Sequence, residues 1–342
     1  MIILNLFLFA AGSMILYYGA EWLVKGASSL ARSAGLSPLV IGMTIVAFGT
    51  SAPEFVVSIV SSIQNKSMIA VGNVVGSNIC NIALVLGLTS VFRPLSCHRS
   101  LIKRDIPIML SISAYLLLIS LDSKLGRFDG ATLFCGIILY ICFNYYAAVK
   151  ESKNISNVTS NSTNFQLDQL PTRPTSNSTK PAVDKIDYIS RPGQIIRIVA
   201  GIAGVVAGAE LLVNSAVGIM HAFGISEKFI GLTVVAFGTS LPELATSLVA
   251  AIKKEMDISI GNLVGSNVFN ILGVLGAASL IRPIQIPGGF AGSGLLIDYF
   301  AMILISFLPW LMMKKTFSTS KKDGIILLSC YAGYLIYLSM KL

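Results

Sequence analysis

Two glutamates lie inside long apolar stretches of this 342-residue chain, and each ends a copy of the same short motif. The motif is Phe-Gly-Thr-Ser-x-Pro-Glu, and its copies end at Glu54 and Glu243. Proline in a helix removes a backbone donor and clashes with the preceding turn, and glycine loosens the backbone. We therefore predict that each helix breaks within the motif and restarts at the glutamate. The break should free backbone carbonyls near Ala47 and Ala236 to bind a ligand.

A second motif, Gly-Asn-x-x-Gly-Ser-Asn-x-x-Asn, is also present twice, at residues 72–81 and 261–270. Its serine and last asparagine are four residues apart, so Ser77 and Asn81 share one helix face, as do Ser266 and Asn270. The two motifs together offer carboxylate, hydroxyl, amide and carbonyl oxygens. The candidate ligands are Ala47, Thr50, Ser51, Glu54, Ser77, Asn81, Ala236, Thr239, Ser240, Glu243, Ser266 and Asn270, with Asn73 and Asn262 as secondary candidates.

An all-oxygen set of this kind predicts a site for hard cations. Ca²⁺ takes about six to eight oxygen ligands, whereas Zn²⁺ and Cu⁺ prefer histidine or cysteine. Two carboxylates carry enough charge for one Ca²⁺ or for several Na⁺ in adjacent subsites. Cations that compete for shared ligands exchange for one another, which is antiport. His98 and His221 lie near helix ends and are not expected to be ligands, and no cofactor is expected.

The composition identifies the surroundings of these residues as a membrane. The chain is 54% hydrophobic and 12% charged, with a mean hydropathy of +0.78, whereas soluble domains are about 25% charged. This excludes a soluble single-core protein, a nucleic-acid binder and a disordered scaffold. A membrane-spanning helix needs about 20 apolar residues, and this length predicts an all-α polytopic fold with ten spans. They lie near 2–30, 38–63, 67–92, 105–121, 129–149, 195–220, 229–252, 258–281, 291–313 and 324–340.

The duplication predicts how these helices are arranged. Both motifs recur at an offset of 189 residues (243 − 54 and 270 − 81). The expected units are a first five-helix repeat at 1–149 with its motifs at 42–81, a flexible Ser/Thr/Asn/Pro-rich linker at 150–192, and a second repeat at 193–342 with its motifs at 231–270. Because five is odd, the second repeat enters the membrane upside down, with helices 2 and 7 broken. Inverted repeats are typical of transporters with a midplane site and alternating access.

The distribution of Lys and Arg predicts the orientation, because these residues are enriched in cytoplasmic loops. With the N-terminus outside, eleven lie in inward loops and six face outward, before the linker is counted. The eleven are Arg32, Arg93, Arg99, Lys103, Arg104, Lys253, Lys254, Lys314, Lys315, Lys321 and Lys322, and the six are Lys66, Lys124, Arg127, Lys228, Arg282 and Lys341. We expect both termini outside and the linker in the cytoplasm.

The paired motifs resemble the α-repeats of the cation/calcium exchanger superfamily, in particular its prokaryotic sodium/calcium exchanger branch. The resemblance implies a ten-helix fold that exchanges Ca²⁺ for Na⁺ through the oxygen-bearing residues of the two motifs. Some members have aspartate where this chain has Asn270, so the stoichiometry and any use of K⁺ stay open. The alternatives are an H⁺- or K⁺-coupled antiporter of the same superfamily and, less favoured, a cation channel. An enzyme is not expected, because no Gly-x-Ser-x-Gly, His-Glu-x-x-His or Walker motif is present.

The remaining expectations concern partners and two further acids. The partners expected are Ca²⁺ and Na⁺ as substrates and the lipid bilayer, with no nucleic acid and no obligatory protein partner. Glu21 and Glu210 are also related by the 189-residue offset. Each is expected to reach the interface or to pair with a neighbour rather than to bind the transported ion. Gly201, Gly204 and Gly208 predict a closely packed helix face.

Overall fold

A computed structural model of the chain describes residues 2–167, 190–223 and 236–340, which are mostly helical. Short turns of helix occur at Ala236–Gly238 and Gly289–Gly292, and a π-helical turn at Leu101–Asp105 precedes α5. Two short strands, β1 (Lys124–Leu125) and β2 (Ile284–Gln285), pair antiparallel. The helices are α1 (Ile2–Ala34), α2 (Pro38–Thr50), α3 (Ala52–Ile63), α4 (Ser67–Phe92), α5 (Ile106–Ile119), α6 (Arg127–Leu167), α7 (Arg191–Ala222), α8 (Leu241–Ile252), α9 (Met256–Ile281), α10 (Leu295–Thr316) and α11 (Lys321–Met340).

Seven helices in the described ranges are long and apolar enough to span a membrane, and the broken pair of α2 and α3 makes an eighth. The central helices are α4 and α9, where 72% and 89% of the most apolar stretch is buried inside the protein. The corresponding share in the other long helices lies between 11% and 33%. The protein is therefore a multi-pass membrane protein with α4 and α9 at its core.

The chain bends at both copies of the proline motif. The axes of α2 and α3 differ by 48°, with Ser51 between them at φ −80° and ψ 9°. Ser240, before α8, has almost the same backbone conformation, at φ −89° and ψ 4°. The predicted break is present, but each helix restarts two residues before the glutamate, because proline fits best in the first turn. Each glutamate then lies in the first turn, where its charge complements the helix dipole.

The long helices α1 and α7 cross as an antiparallel pair through their glycines. A Cβ added at Gly19 would come within 2.6 Å of the Val205 nitrogen, and one at Gly201 within 2.5 Å of the Leu23 nitrogen. Only glycine permits the two backbones to approach this closely. The predicted close packing through Gly201, Gly204 and Gly208 is confirmed.

The apolar part of α6, Arg127–Lys150, agrees with the span expected near 129–149. Helical structure then continues to Leu167, into the expected linker. No glycine or proline occurs between residues 151 and 167, so the sequence contains no residue that stops the helix there. The rest of the expected linker, up to residue 189, lies outside the described residues, as does the start of the span expected at 229–252.

Candidate functional site

The two broken helices meet at the centre of the protein, and each glutamate accepts a hydrogen bond there. Ser51 Oγ, at the first break, donates to Glu243 Oε1 of the second repeat at 3.1 Å. Ser77 Oγ on α4 donates to Glu54 Oε1 at 3.2 Å. Both carboxylates are fully buried and interact electrostatically with each other. The structure therefore brings the two predicted carboxylates into one site.

The other residues of the two motifs surround these carboxylates. Thr50 Oγ1 donates to Asn262 Oδ1 at 3.1 Å and lies 3.4 Å from Ser266 Oγ on α9. Thr239, at the second break, lies beside Glu54. Asn81 and Asn270 are buried in π-helical segments of α4 and α9, at Cys80–Leu86 and Phe269–Leu275. Such segments are frequent at functional sites because they redirect side chains from the regular helical pattern.

Several buried oxygens of the site have no hydrogen-bond partner within the described part of the chain. They include one oxygen of each glutamate and the side-chain oxygen of the last asparagine in each copy of the second motif. A buried polar atom without a partner costs free energy, and an unpaired carboxylate costs most. A cation at this point would satisfy these oxygens, so the donor set fits a hard cation as substrate. The atoms are Glu54 Oε2, Glu243 Oε2, Asn81 Oδ1, Asn270 Oδ1, Thr239 Oγ1 and Ser240 Oγ.

The prediction of a free carbonyl at Ala47 is wrong. The Ser51 N–H donates to the Ala47 oxygen at 3.0 Å, and the Thr50 hydroxyl lies within 3.4 Å of it. The helical turn before the break stays closed because the chain departs from helix only at Ser51. A carbonyl oxygen has two lone pairs, so this one can still accept a further ligand. Ala236 lies in the short turn that opens the described part of the second broken helix.

The secondary candidates Asn73 and Asn262 tie the restarted helices to α4 and α9. Asn73 Nδ2 donates to the Glu54 carbonyl oxygen at 3.2 Å and to Ser58 Oγ at 2.9 Å. In the second repeat, Asn262 Nδ2 donates to Ser247 Oγ at 3.1 Å. Ser58 and Ser247 are equivalent under the 189-residue offset. These asparagines therefore help to hold the helices that carry the glutamates.

Two further asparagines of the site were missed by the sequence analysis. Asn78 and Asn267 are buried between α4 and α9 and bond to the amides of Asn270 and Asn81. The sequence contained a signal for them, because both copies of the second motif read Ser-Asn-x-x-Asn. The spacing alone assigns a ligand role to the last asparagine of the motif and none to the first.

The duplicated acids Glu21 and Glu210 have different surroundings. Glu21 forms ion pairs with Lys25 at 2.9 Å and with Lys253 at 2.7 Å, as expected for an acid that pairs with a neighbour. The hydrogen bond that Lys253 donates to this carboxylate raises the pKa of Lys253. Glu210 is exposed and lines a cleft of about 420 Å³ that also touches Pro53 and Thr239. The cleft therefore adjoins both breaks.

The two histidines of the chain lie near helix ends, as expected. His98 lies in the loop after α4, with its ring 3.0 Å from Ser100 Oγ, and His221 lies in the last turn of α7. Across the described ranges, no group of three or more His, Cys, Asp or Glu side chains is placed to hold a metal ion. The glutamate pair and its amide and hydroxyl neighbours offer oxygen donors, which hard cations prefer over nitrogen or sulfur.

Known proteins resemble this chain over nearly its whole length. The chain matches the family model described as sodium/calcium exchanger protein over residues 4–148 and 193–340. It is 36% identical to the putative antiporter CaxA of Alkalimonas amylolytica, over 94% of this chain and 95% of that protein. It is 30% identical to the sodium/calcium exchanger MaX1 of Methanosarcina acetivorans, over 99% of each. Among solved structures, the sodium-calcium exchanger NCX_Mj matches with a TM-score of 0.78 and 32% identity, over 99% of this chain and 100% of that one.

Proposed function

The chain belongs to the sodium/calcium exchanger protein family, and from this premise we propose that it exchanges Ca²⁺ for Na⁺ across a membrane. Exchange takes place by alternating access at the site between the two helix breaks. The observation that carries the proposal is the pair of buried glutamates, each with one carboxylate oxygen that lacks a hydrogen-bond partner among the described residues. A divalent cation between Glu54 and Glu243 offsets both charges and occupies both free oxygens.

The ligand set supports exchange rather than simple binding. The proposed ligands are those of the two motifs, from Ala47 to Asn81 and from Ala236 to Asn270. They offer enough oxygens for the six to eight ligands of Ca²⁺. Na⁺ ions in neighbouring subsites use the same carboxylates, so one kind of ion leaves before the other binds. The proteins that this chain matches are named as antiporters and exchangers, in keeping with a transporter rather than an enzyme.

The transport cycle rests on a proposed fold of ten spans in two inverted repeats, residues 1–149 and 193–342. The helix bounds support this fold. Ala52–Ile63 and Ser67–Phe92 correspond residue for residue, at the offset of 189, to Leu241–Ile252 and Met256–Ile281. The seven long helices and the broken pair make eight spans, and the shorter helices α5 and α8 bring the number to ten. Residues 150–192 join the two repeats.

The access path in this conformation runs through the cleft beside Glu210. The cleft lies along α3 and the second half of α7, and it reaches Pro53 and Thr239 at the breaks. Near Lys253, at the far end of α8, ion pairs join α1 to the loop between α8 and α9. We propose that both termini lie outside, so that the cleft opens outward and the ion pairs close the cytoplasmic face. A cysteine introduced at Ser176 of the linker should then react with an impermeant reagent only after the membrane is permeabilised.

The test of the exchange reaction is ⁴⁵Ca²⁺ uptake into proteoliposomes under imposed ion gradients. An outward Na⁺ gradient should drive Ca²⁺ uptake, and an outward K⁺ gradient of the same size controls for osmotic and electrical effects. Uptake driven by a pH gradient with no response to Na⁺ would replace Na⁺ with H⁺ as the coupled ion. Ca²⁺ flux that needs no counter-ion would favour the channel.

A further inference from the structure

We propose that Asn78 and Asn267 are positioning residues that aim the amide oxygens of Asn81 and Asn270 at the transported cation. The inference deepens the proposed function, because it concerns the ligands of the same site. It starts from a reciprocal set of hydrogen bonds between α4 and α9. Asn81 Nδ2 donates to Asn267 Oδ1 at 3.2 Å, and Asn270 Nδ2 donates to Asn78 Oδ1 at 3.1 Å. Each bond is the counterpart of the other under the 189-residue offset.

The backbone fixes the orientation of the two positioning amides. Asn78 Nδ2 donates to the Asn267 carbonyl oxygen at 3.2 Å, and Asn267 Nδ2 lies 3.5 Å from the Asn78 carbonyl oxygen. Their NH₂ groups also approach sulfur atoms, at 3.7 Å from Met302 and 3.7 Å from Met109. An amide whose NH₂ group faces a carbonyl must turn its oxygen the other way. The oxygens of Asn78 and Asn267 are therefore held as acceptors toward the neighbouring asparagines.

This arrangement determines which atom of Asn81 and Asn270 faces the site. Their NH₂ groups are occupied, whereas their Oδ1 atoms are buried without a hydrogen-bond partner in the described ranges. An asparagine can rotate its amide by half a turn at little steric cost, because the oxygen and nitrogen are nearly the same size. The rotated amide would present NH₂ to a cation. Rotation of Asn81 or Asn270 would break the bond to Asn267 or Asn78 and set two acceptors against each other, so the acceptors keep the ligand oxygen in place.

The same geometry favours asparagine over aspartate at position 270. Asn78 Oδ1 is an acceptor that faces the side chain of Asn270 and needs a donor there. An ionised aspartate has no donor, so its second oxygen would lie against Asn78 Oδ1. The positioning pair thereby restricts this site to the two formal charges of Glu54 and Glu243.

The experiment is a pair of double-mutant cycles read by ion binding. Ca²⁺ affinity is taken from the Ca²⁺ dependence of the melting temperature in detergent, which requires no transport, since a ligand that binds the folded state stabilises it. Asn267→Ala should weaken Ca²⁺ binding about tenfold, the size of one neutral hydrogen bond. In an Asn81→Ala background the same substitution should change affinity less than about twofold, because Asn267 acts through Asn81.

The matched control combines two substitutions from different hydrogen-bonded pairs. Asn267→Ala combined with Asn270→Ala should be close to additive, because Asn267 bonds to Asn81 and not to Asn270. The converse holds for Asn78→Ala. Its effect should disappear in the Asn270→Ala background and persist in the Asn81→Ala background. If Asn267→Ala does not fold, Asn267→Ser, which keeps a hydroxyl acceptor, takes its place and should lose less than about threefold, again with no further loss beside Asn81→Ala.

The outcomes separate this inference from the proposed function. Full additivity of Asn267→Ala with Asn81→Ala, or wild-type Ca²⁺ affinity in Asn267→Ala, would overturn the positioning role even if exchange is normal. Absence of Na⁺/Ca²⁺ exchange in the wild-type protein would instead overturn the proposed function. The binding cycles would still report on the amides in that case.

Discussion

The contacts of the duplicated residues are equivalent at the centre of the protein and differ towards its two ends. At the centre, the bond from Asn81 to Asn267 has its counterpart in the bond from Asn270 to Asn78. Away from the centre, Glu21 and Glu210 occupy equivalent positions on α1 and α7. Glu21 is held by Lys25 and Lys253, whereas Glu210 lines an open cleft.

The sequence explains why the ion pairs of one face have no counterpart on the other. At the offset of 189, Lys25 corresponds to Asn214 (25 + 189) and Lys253 to Gln64 (253 − 189), so both cations are replaced by amides. The second pair of this face, Arg32 with Glu255 at 3.1 Å, corresponds to His221 with Lys66. The neutral amides cannot form an ion pair with Glu210, and His221 with Lys66 lacks an acid, so neither ion pair has an equivalent.

This difference follows from what each region does in a transport cycle. In the proposed cycle the bound ion contacts both repeats at once, so both must supply the same oxygens in every conformation. A contact at one face exists only while that face is closed. Contacts of unequal strength at the two faces therefore shift the balance between conformations without altering the ion site.

The largest expected effect separates the central acids from the peripheral ones. Glu54→Gln or Glu243→Gln keeps the shape of the site and removes one of its two charges. One unit charge at 4 Å is worth about 4 kcal/mol at an effective dielectric constant of 20. We therefore expect ⁴⁵Ca²⁺/Na⁺ exchange to fall at least about a hundredfold in either variant.

The matched controls for that prediction are Glu21→Gln and Glu210→Gln. Both should keep most of the exchange rate, because Glu21 is paired with two lysines, Glu210 is exposed, and neither acid belongs to a motif at a helix break. Near-normal exchange in Glu54→Gln would refute the central site. An inactive Glu21→Gln would show that the outer acids also handle the ion.

The sequence was sufficient for the central carboxylates because the information is local. Proline and glycine beside Glu54 and Glu243 predict the breaks, and the duplication predicts that the two breaks meet. The bond between Asn81 and Asn267 joins residues 186 positions apart. Its existence depends on how α4 packs against α9, which no local pattern specifies.

Local sequence patterns do not predict the peripheral contacts either. The pairing of Glu21 with Lys253 spans 232 residues and depends on the angle of α1 against α8. The continuation of α6 to Leu167 could not be predicted for a different reason. A polar composition predicts that a segment cannot pack in a core, but it does not by itself stop a helix that has already begun.

A medium-sized effect is expected where α1 and α7 cross. A methyl group at Gly201 would lie 2.5 Å from the Leu23 nitrogen, which cannot move without displacing the backbone of α1. Overpacking of this kind costs about 1–3 kcal/mol. Gly201→Ala should therefore lower the melting temperature in detergent and slow exchange by separating the two helices.

Gly333→Ala on α11 is the control for that substitution. An added methyl group there meets no atom of the described residues within 4 Å. Its melting temperature should be unchanged or slightly higher, because alanine is a better helix former than glycine. Equal behaviour of the two variants would mean that the crossing tolerates a wider separation than the glycines indicate.

The smallest effect expected is on the balance between conformations, and it tests the ion pairs of the closed face directly. Lys253→Gln reproduces the uncharged side chain that Gln64 presents at the equivalent position. A partly exposed ion pair is worth up to about 1 kcal/mol, or about fivefold in population. The Glu21–Lys253 pair and the open cleft are present in the same conformation. Loss of the ion pair should therefore increase the population in which the cleft is closed. In a protein freed of its native cysteines, a cysteine at Val57 in the cleft should then react more slowly with an impermeant thiol reagent, by up to about fivefold.

Salt and pH distinguish this ion-pair effect from a general loosening of the protein. Raising the ionic strength should slow labelling of the Val57 cysteine in the protein with Lys253, and should do so less in Lys253→Gln, because salt screens exposed pairs. The folded protein raises the pKa of Lys253 above its ordinary value of 10.5. The pair's contribution is therefore fully present below about pH 10.5 and is lost as the pH rises through the raised pKa, so labelling should not respond to this group between about pH 7 and 9. Lys322→Gln, which removes an exposed charge on α11, should leave the labelling rate unchanged. Faster labelling in Lys253→Gln would mean that the ion pairs hold the cleft closed rather than open.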